Sequence, residues 1–208
     1  MNIRPGRVVL LAITHETKDY EMSARSESAT TAAQRNGSLV VRGAEPADRE
    51  AIGGVVLGAY ARYAGQFVPE VFSRYLDDAL DLSTHASYGR LLVAATPQRV
   101  LGFAVFYPDA SVSDSGFPSG WAAVRVLAVY PGAGDADVRR ALLGACERLA
   151  AEAGAPVLAI RTASIMTETI AGHEQLGYRR APDFDAAAPV RSVAHLRYVA
   201  QMYMNLAR

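Results

Sequence analysis

Gly132-Ala133-Gly134 lies between a β-rich run and a long amphipathic segment, and of everything in this 208-residue chain it is the part best suited to hold an anion. A helix that starts just after a glycine turn presents free backbone N–H groups and a partial positive charge, and phosphate suits both. The whole strand, turn and helix unit spans Trp121 to Gly154, with Arg139 and Arg140 about one turn into the helix. Gly132-x-Gly134 also opens a dinucleotide-binding GxGxx pattern, but Asp137 occupies the third glycine position and no doubly wound repeat precedes the unit. The second chemical candidate is His173, on a predicted helix one strand later. The other histidines, His15, His85 and His195, are scattered, and no HExxH, paired CxxC, GxxxxGK[ST] or GxSxG motif is present. Metal-dependent hydrolysis and nucleoside triphosphate chemistry therefore lack their usual residues. Cys146 sits beside the apolar stripe of its helix and reads as a small buried hydrophobe.

These residues need a scaffold, and hydrophobic spacing predicts one from about Ser38 onward. Leu39 to Arg42 is a short strand, and proline-started helices run from Pro46 to Ala64 and from Pro69 to Leu80. Leu91–Ala95 and Val100–Tyr107 form an antiparallel hairpin across Thr-Pro-Gln-Arg. A polar loop from Pro108 to Gly120 leads into the strongest strand, Trp121 to Val129. The next helix is striped by Val138, Leu142, Ala145 and Leu149 and stops at Gly154. Pro156–Ile160 is a strand, Ile165–Leu176 a helix stopped at Gly177, and Tyr178–Arg180 and His195–Leu206 are strands. The expected class is α/β, with a mixed, mainly antiparallel sheet flanked by helices.

Residues Met22 to Ser38 are rich in Ser, Thr, Ala and Gly and hold no large hydrophobe after Met22, so residues 1–37 are expected to be a flexible extension and 38–208 the folded domain. The apolar run Val8–Ile13 is far short of the ~20 residues that cross a bilayer. The 21 basic and 21 acidic residues cancel and give no broad field toward nucleic acid or a membrane surface, and neither is an expected partner. One cysteine makes no disulfide and demands no oxidising compartment, so a cytoplasmic setting is expected.

Two segments then carry a family likeness. Leu127-Ala128-Val129-Tyr130-Pro131 with Ala141-Leu142-Leu143, and one strand later His173-Glu174-Gln175-Leu176-Gly177-Tyr178, resemble the GCN5-related N-acetyltransferases over roughly Leu39 to the C-terminus. The resemblance implies direct transfer of an acetyl group from acetyl-CoA to a small-molecule amine, by a monomer or homodimer. It implies that backbone within Leu127, Ala128 and Val129 polarises the thioester carbonyl. It implies that Gly134, Ala136, Val138, Arg139 and Arg140 surround the pyrophosphate, and that His173 stands where the family has its tyrosine acid. Tyr178 is the fallback acid.

The family's Arg-Gly-x-Gly-x-Gly falls here on Gly134 to Arg139 and brings in Asp135 and Asp137, expected to cap the helix and complement its dipole, with Arg139 and Arg140 offsetting their charge. Two rivals follow from that departure: a non-catalytic binding module on the same scaffold, or an acyl-handling enzyme with a donor other than CoA. Asp109 and Asp114 are loop candidates for a base, and Tyr60, Tyr63, Tyr107 and Trp121 for an acceptor pocket.

Overall fold

The computed structural model describes residues 38–113, 115–187 and 190–199; the expected 1–37 extension, Asp114 and the end of the expected last strand lie outside them. The first elements are β1 (Val40–Gly43), α1 (Arg49–Ala61), α2 (Pro69–Leu80), α3 (Leu82–Tyr88), β2 (Arg90–Ala95) and β3 (Val100–Tyr107). They are followed by β4 (Ala122–Val129), α4 (Asp135–Glu152), β5 (Val157–Ala163), α5 (Thr167–Gln175), β6 (Arg179–Arg180) and β7 (Ser192–Tyr198). Strands are ordered β1-β2-β3-β4-β5-β7-β6 in one seven-stranded sheet. Every neighbouring pair is antiparallel except β4 and β5, which the α4 crossover makes parallel.

Both faces of the sheet are covered. Phe103, Val105 and Tyr107 of β3 join Ile52, Val55 and Val56 of α1 on one face. Leu101, Ala104 and Phe106 join Val138, Leu142 and Cys146 of α4 on the other. That alternation is why β3 reads as an almost unbroken apolar run. Helix α3 was not expected, because Ser83, Thr84, His85 and Ser87 hide its period; Asp81 starts it by accepting from the Thr84 N–H at 3.1 Å. The last strand begins at Ser192, three residues before the expected His195, because it pairs along all of β5 from Ala163 to Val157.

Between β1 and α1, Asp48 accepts two hydrogen bonds from Arg42 (2.6 and 2.9 Å) and one from the Glu45 N–H (2.8 Å). The Arg42 hydrogen bond holds the Asp48 carboxyl below the usual carboxylate range. A lowered folded-state pKa stabilises above the unfolded value near 4 and loses that stabilisation as pH falls through the folded one. Asp48→Asn is therefore expected to lower the melting temperature at pH 7, with the difference from wild type shrinking as the pH falls progressively below 4, as checked by thermal melts over an acid pH series.

Candidate active site

The pairing of β4 with β5 covers only Ala122–Val124 against Leu158–Ile160. Beyond those three rungs the strands diverge. The register of β4 against β3 passes from Val124↔Phe106 to Val126↔Val105, which makes Arg125 the extra residue of a β-bulge at the start of the divergence. A cavity of about 260 Å³ fills the fork. Its walls are β4 at Val124, Arg125, Leu127 and Val129, β5 at Ile160, Arg161 and Thr162, α1 at Ala59, Tyr60 and Arg62, the start of α4, and α5 from Glu168 to Gln175.

The α4 end is built by the turn. Gly132 and Gly134 have φ of 77° and 79°, a left-handed conformation that a side chain would strain. The N–H groups of Asp137 and Val138 turn back on the Gly134 carbonyl, at 3.0 and 3.2 Å. Among the described residues the N–H groups of Asp135 and Ala136 have no backbone acceptor, which leaves them as the helix's open donors. Asp135 and Asp137 lie in the first turn, where they complement the dipole, but neither side chain makes a cap hydrogen bond. The expected cap is replaced by ion pairs. Asp137 points to solvent and pairs with Arg140 at 3.2 Å, whereas Asp135 borders the cavity with Arg62 at 4.0 Å. Arg139, partly desolvated, reaches into the cavity beside Asp135 and lies against Gly172. Around the cavity, five arginines (62, 125, 139, 140 and 161) stand against two carboxylates, Asp135 and Glu168, among the described residues. Arg62 holds Glu168 at 3.0 Å.

His173 enters from α5 and is 1% exposed. Its Nδ1 is 3.4 Å from the Thr162 hydroxyl, and its Nε2 has no hydrogen-bond partner among the described residues. Burial, with Arg139 and His195 nearby, pushes its pKa down to about 3, so the ring is neutral at pH 7. The ring therefore offers an N–H tautomer and a lone pair, and not an imidazolium.

The remaining expected residues divide between cavity and core. Leu127, Val129, Ala136, Arg139 and Arg140 line the cavity, and Tyr60 donates to the Leu127 carbonyl at 3.5 Å. Gly134 caps α4, while the Ala128 and Val138 side chains belong to the core. Tyr60 and Tyr63 line the cavity together with Tyr75, which meets Tyr60 edge-on at 5.4 Å and whose hydroxyl burial pushes up to about 12. Tyr107 instead bonds His85 at 2.7 Å, and Trp121 packs on Phe117 and Phe184. Tyr178 is buried and donates to Glu147 at 3.0 Å. Asp109 serves its own loop, accepting from the Ser111 N–H and the Ser119 hydroxyl. The Cys146 thiol, fully buried, is pushed up to about 12. Thr162, Arg62 and Arg161 were not legible as site residues, since only the fork brings β5, α1 and α5 together.

No protein-family model matches the chain, and no curated protein matches it by sequence. Solved structures share its fold. The PaiA N-acetyltransferase of Thermoplasma acidophilum, in complex with coenzyme A, is 13% identical with a TM-score of 0.61, over 77% of this chain and 99% of that one. A GNAT-family acetyltransferase of Staphylococcus aureus is 13% identical with a TM-score of 0.58, over 78% and 99%. The ribosomal-protein-S18-alanine N-acetyltransferase of Escherichia coli is 17% identical with a TM-score of 0.50, over 76% and 91%. The chain has the fold of the GCN5-related N-acetyltransferases.

Proposed function

We propose that this protein is an acyltransferase that moves an acetyl group from acetyl-CoA directly to the amine of a small molecule. The observation that carries the reading is the forked sheet, in which strand backbone freed from β5 and the open N–H groups of Asp135 and Ala136 border one cavity. Open helix N–H groups suit a pyrophosphate, and Arg139 beside Asp135 offsets that carboxylate, whereas Arg125 and Arg140 are paired with Asp78 and Asp137. Acetyl-CoA supplies the activated thioester when bound. The chain's own part is to polarise the thioester carbonyl with β4 backbone between Leu127 and Val129, to seat the acceptor among Tyr60, Tyr63 and Tyr75, and to handle the proton at His173.

Calorimetric titration with acetyl-CoA, and with free CoA alongside, tests the donor half. Micromolar binding supports the reading, and an amine screen that includes alanine-initiated peptides then addresses the acceptor. Absence of binding at millimolar ligand overturns it, in favour of a binding module or another acyl donor.

The aspartate bordering the cavity predicts its own effect. A carboxylate about 4 Å from a phosphate costs ~1 kcal/mol in water and more where solvent is excluded. Asp135→Asn is therefore expected to tighten acetyl-CoA binding by about 5-fold or more. Asp137→Asn, facing solvent and paired with Arg140, is expected to change it by less than about 2-fold. The same titration reads both.

A further inference from the structure

Resting on that reading, we propose that Thr162, His173, His195 and Glu174 form a proton relay that carries the acceptor amine's proton from the cavity to solvent, making this chain the general base. Thr162 lines the cavity, and its hydroxyl is 3.4 Å from His173 Nδ1. The His173 and His195 rings stand edge to face with centroids 6.0 Å apart. His195, on β7, is 0% exposed, and its Nε2 is 3.4 Å from Glu174 Oε1. Glu174 is half-exposed and opens the relay to water.

Among the described residues, each of the two rings has one buried nitrogen without a hydrogen-bond partner, His173 Nε2 and His195 Nδ1; Arg161 Nε and Asp135 Oδ1 are the other such buried side-chain atoms. Every other relay atom has a neighbour at hydrogen-bonding distance. Because neither nitrogen has a partner, the two do not bond each other directly; one water joining them completes an unbroken path and removes the cost of two orphaned buried polar atoms. The carboxylate sets its direction. Glu174 only accepts when ionised, so His195 carries its proton on Nε2 and leaves Nδ1 bare. His173 then donates from Nε2, through that water, toward His195 Nδ1 and accepts from the Thr162 O–H at Nδ1. The cavity end is left with an oxygen lone pair. When the acceptor ammonium gives that oxygen a proton, Thr162 passes its own to His173 Nδ1, His173 passes one from Nε2 through the bridging water to His195 Nδ1, and His195 passes one from Nε2 to Glu174. Glu174 releases it to water, which leaves both rings as Nδ1–H tautomers; each regains its starting form before the next turnover by giving the Nδ1 proton to water and taking one from water at Nε2. One proton enters and one leaves, and the free amine can attack the thioester. Burial, with Arg139 beside the ring, keeps His173 from storing the proton as an imidazolium.

The test reads tautomers in the full chain, so it needs neither donor nor acceptor. Long-range proton–nitrogen NMR at pH 7 is expected to show both histidines as Nε2–H tautomers. Glu174→Gln, a change at a half-exposed position, is expected to shift the ring nitrogens of His195 and, through it, of His173. A His173 spectrum unchanged by both Glu174→Gln and His195→Gln overturns the relay. With acetyl-CoA and an amine acceptor from the screen, Glu174→Gln is further expected to lower kcat about 10-fold, restored by concentrated buffer, with KM for acetyl-CoA unchanged. Coupled tautomers without acetyl-CoA binding would retain the hydrogen-bonded chain but overturn its role in acetyl transfer, separating the two readings.

Discussion

Replacing His173 with alanine is expected to lower kcat by about 10²–10⁴ and to leave the Kd for acetyl-CoA within about 2-fold. The split follows from where the ring sits. His173 lines the fork from α5, whereas the groups placed around the pyrophosphate are on the turn before α4 and in its first turns. Its burial makes the alanine variant a cavity mutant as well, so a melt must accompany the kinetics. His173→Gln keeps an N–H donor and most of the volume, and is expected to preserve the fold while restoring little turnover, because an amide does not pass a proton between two ring nitrogens. With the imidazole held neutral, the wild-type kcat profile is expected to show no break near pH 6.5 from this residue. Turnover equal to wild type in both variants, with the fold intact, would remove His173 from the reaction.

The largest effect on stability is expected at Gly102, with Gly102→Val lowering the melting temperature by about 5–10 °C. A Cβ there would stand 2.6 Å from Val138 Cγ1, 2.9 Å from Leu142 Cδ1 and 3.3 Å from the Ala128 carbonyl oxygen. Helix α4 rests on β3 at this glycine, and both helix residues are core members that cannot swing into solvent. Over-packing a filled core costs about 1–3 kcal/mol, and the β-branched side chain adds two methyl groups to a contact that is full without them. Because α4 starts at the turn proposed to hold the pyrophosphate, weaker acetyl-CoA binding is expected to accompany the loss. An unchanged melting temperature would mean that α4 lifts off β3 without cost. Thermal melts and titrations of the purified variant check both.

What could be read in advance follows from how local each signal is. Leu127 to Pro131 and Ala141 to Leu143 announced the strand, turn and helix because a buried strand and a helix stripe are written in consecutive residues. Helix α3 was missed because its polar residues carry no stripe, although Asp81 before Leu-Ser-Thr was a readable cap. Tyr75 was overlooked beside Phe72, Leu76 and Leu80, since nothing local says which side of α2 meets the fork. His195 as a neighbour of His173 was beyond reach. The two are brought together only because β7 pairs with β5 and β5 precedes α5. The bulge at Arg125 has no local mark either, for it is a mismatch between two strands and not a property of one.

The three-rung junction between β4 and β5 also bears on how the domain holds together. Four antiparallel strands lie on one side of it and three on the other, and among the described residues this three-rung parallel seam is the one ladder that joins the two sets. Strands β5, β7 and β6 are thus placed to open as a cooperative unit below the energy of global unfolding, with their amides exchanging first. An occupant of the fork that touches both arms acts as a clasp: its binding energy adds to the opening energy of that unit. Ligand occupancy would then be felt as slowed exchange along β7, which lies beyond β5 from the cavity.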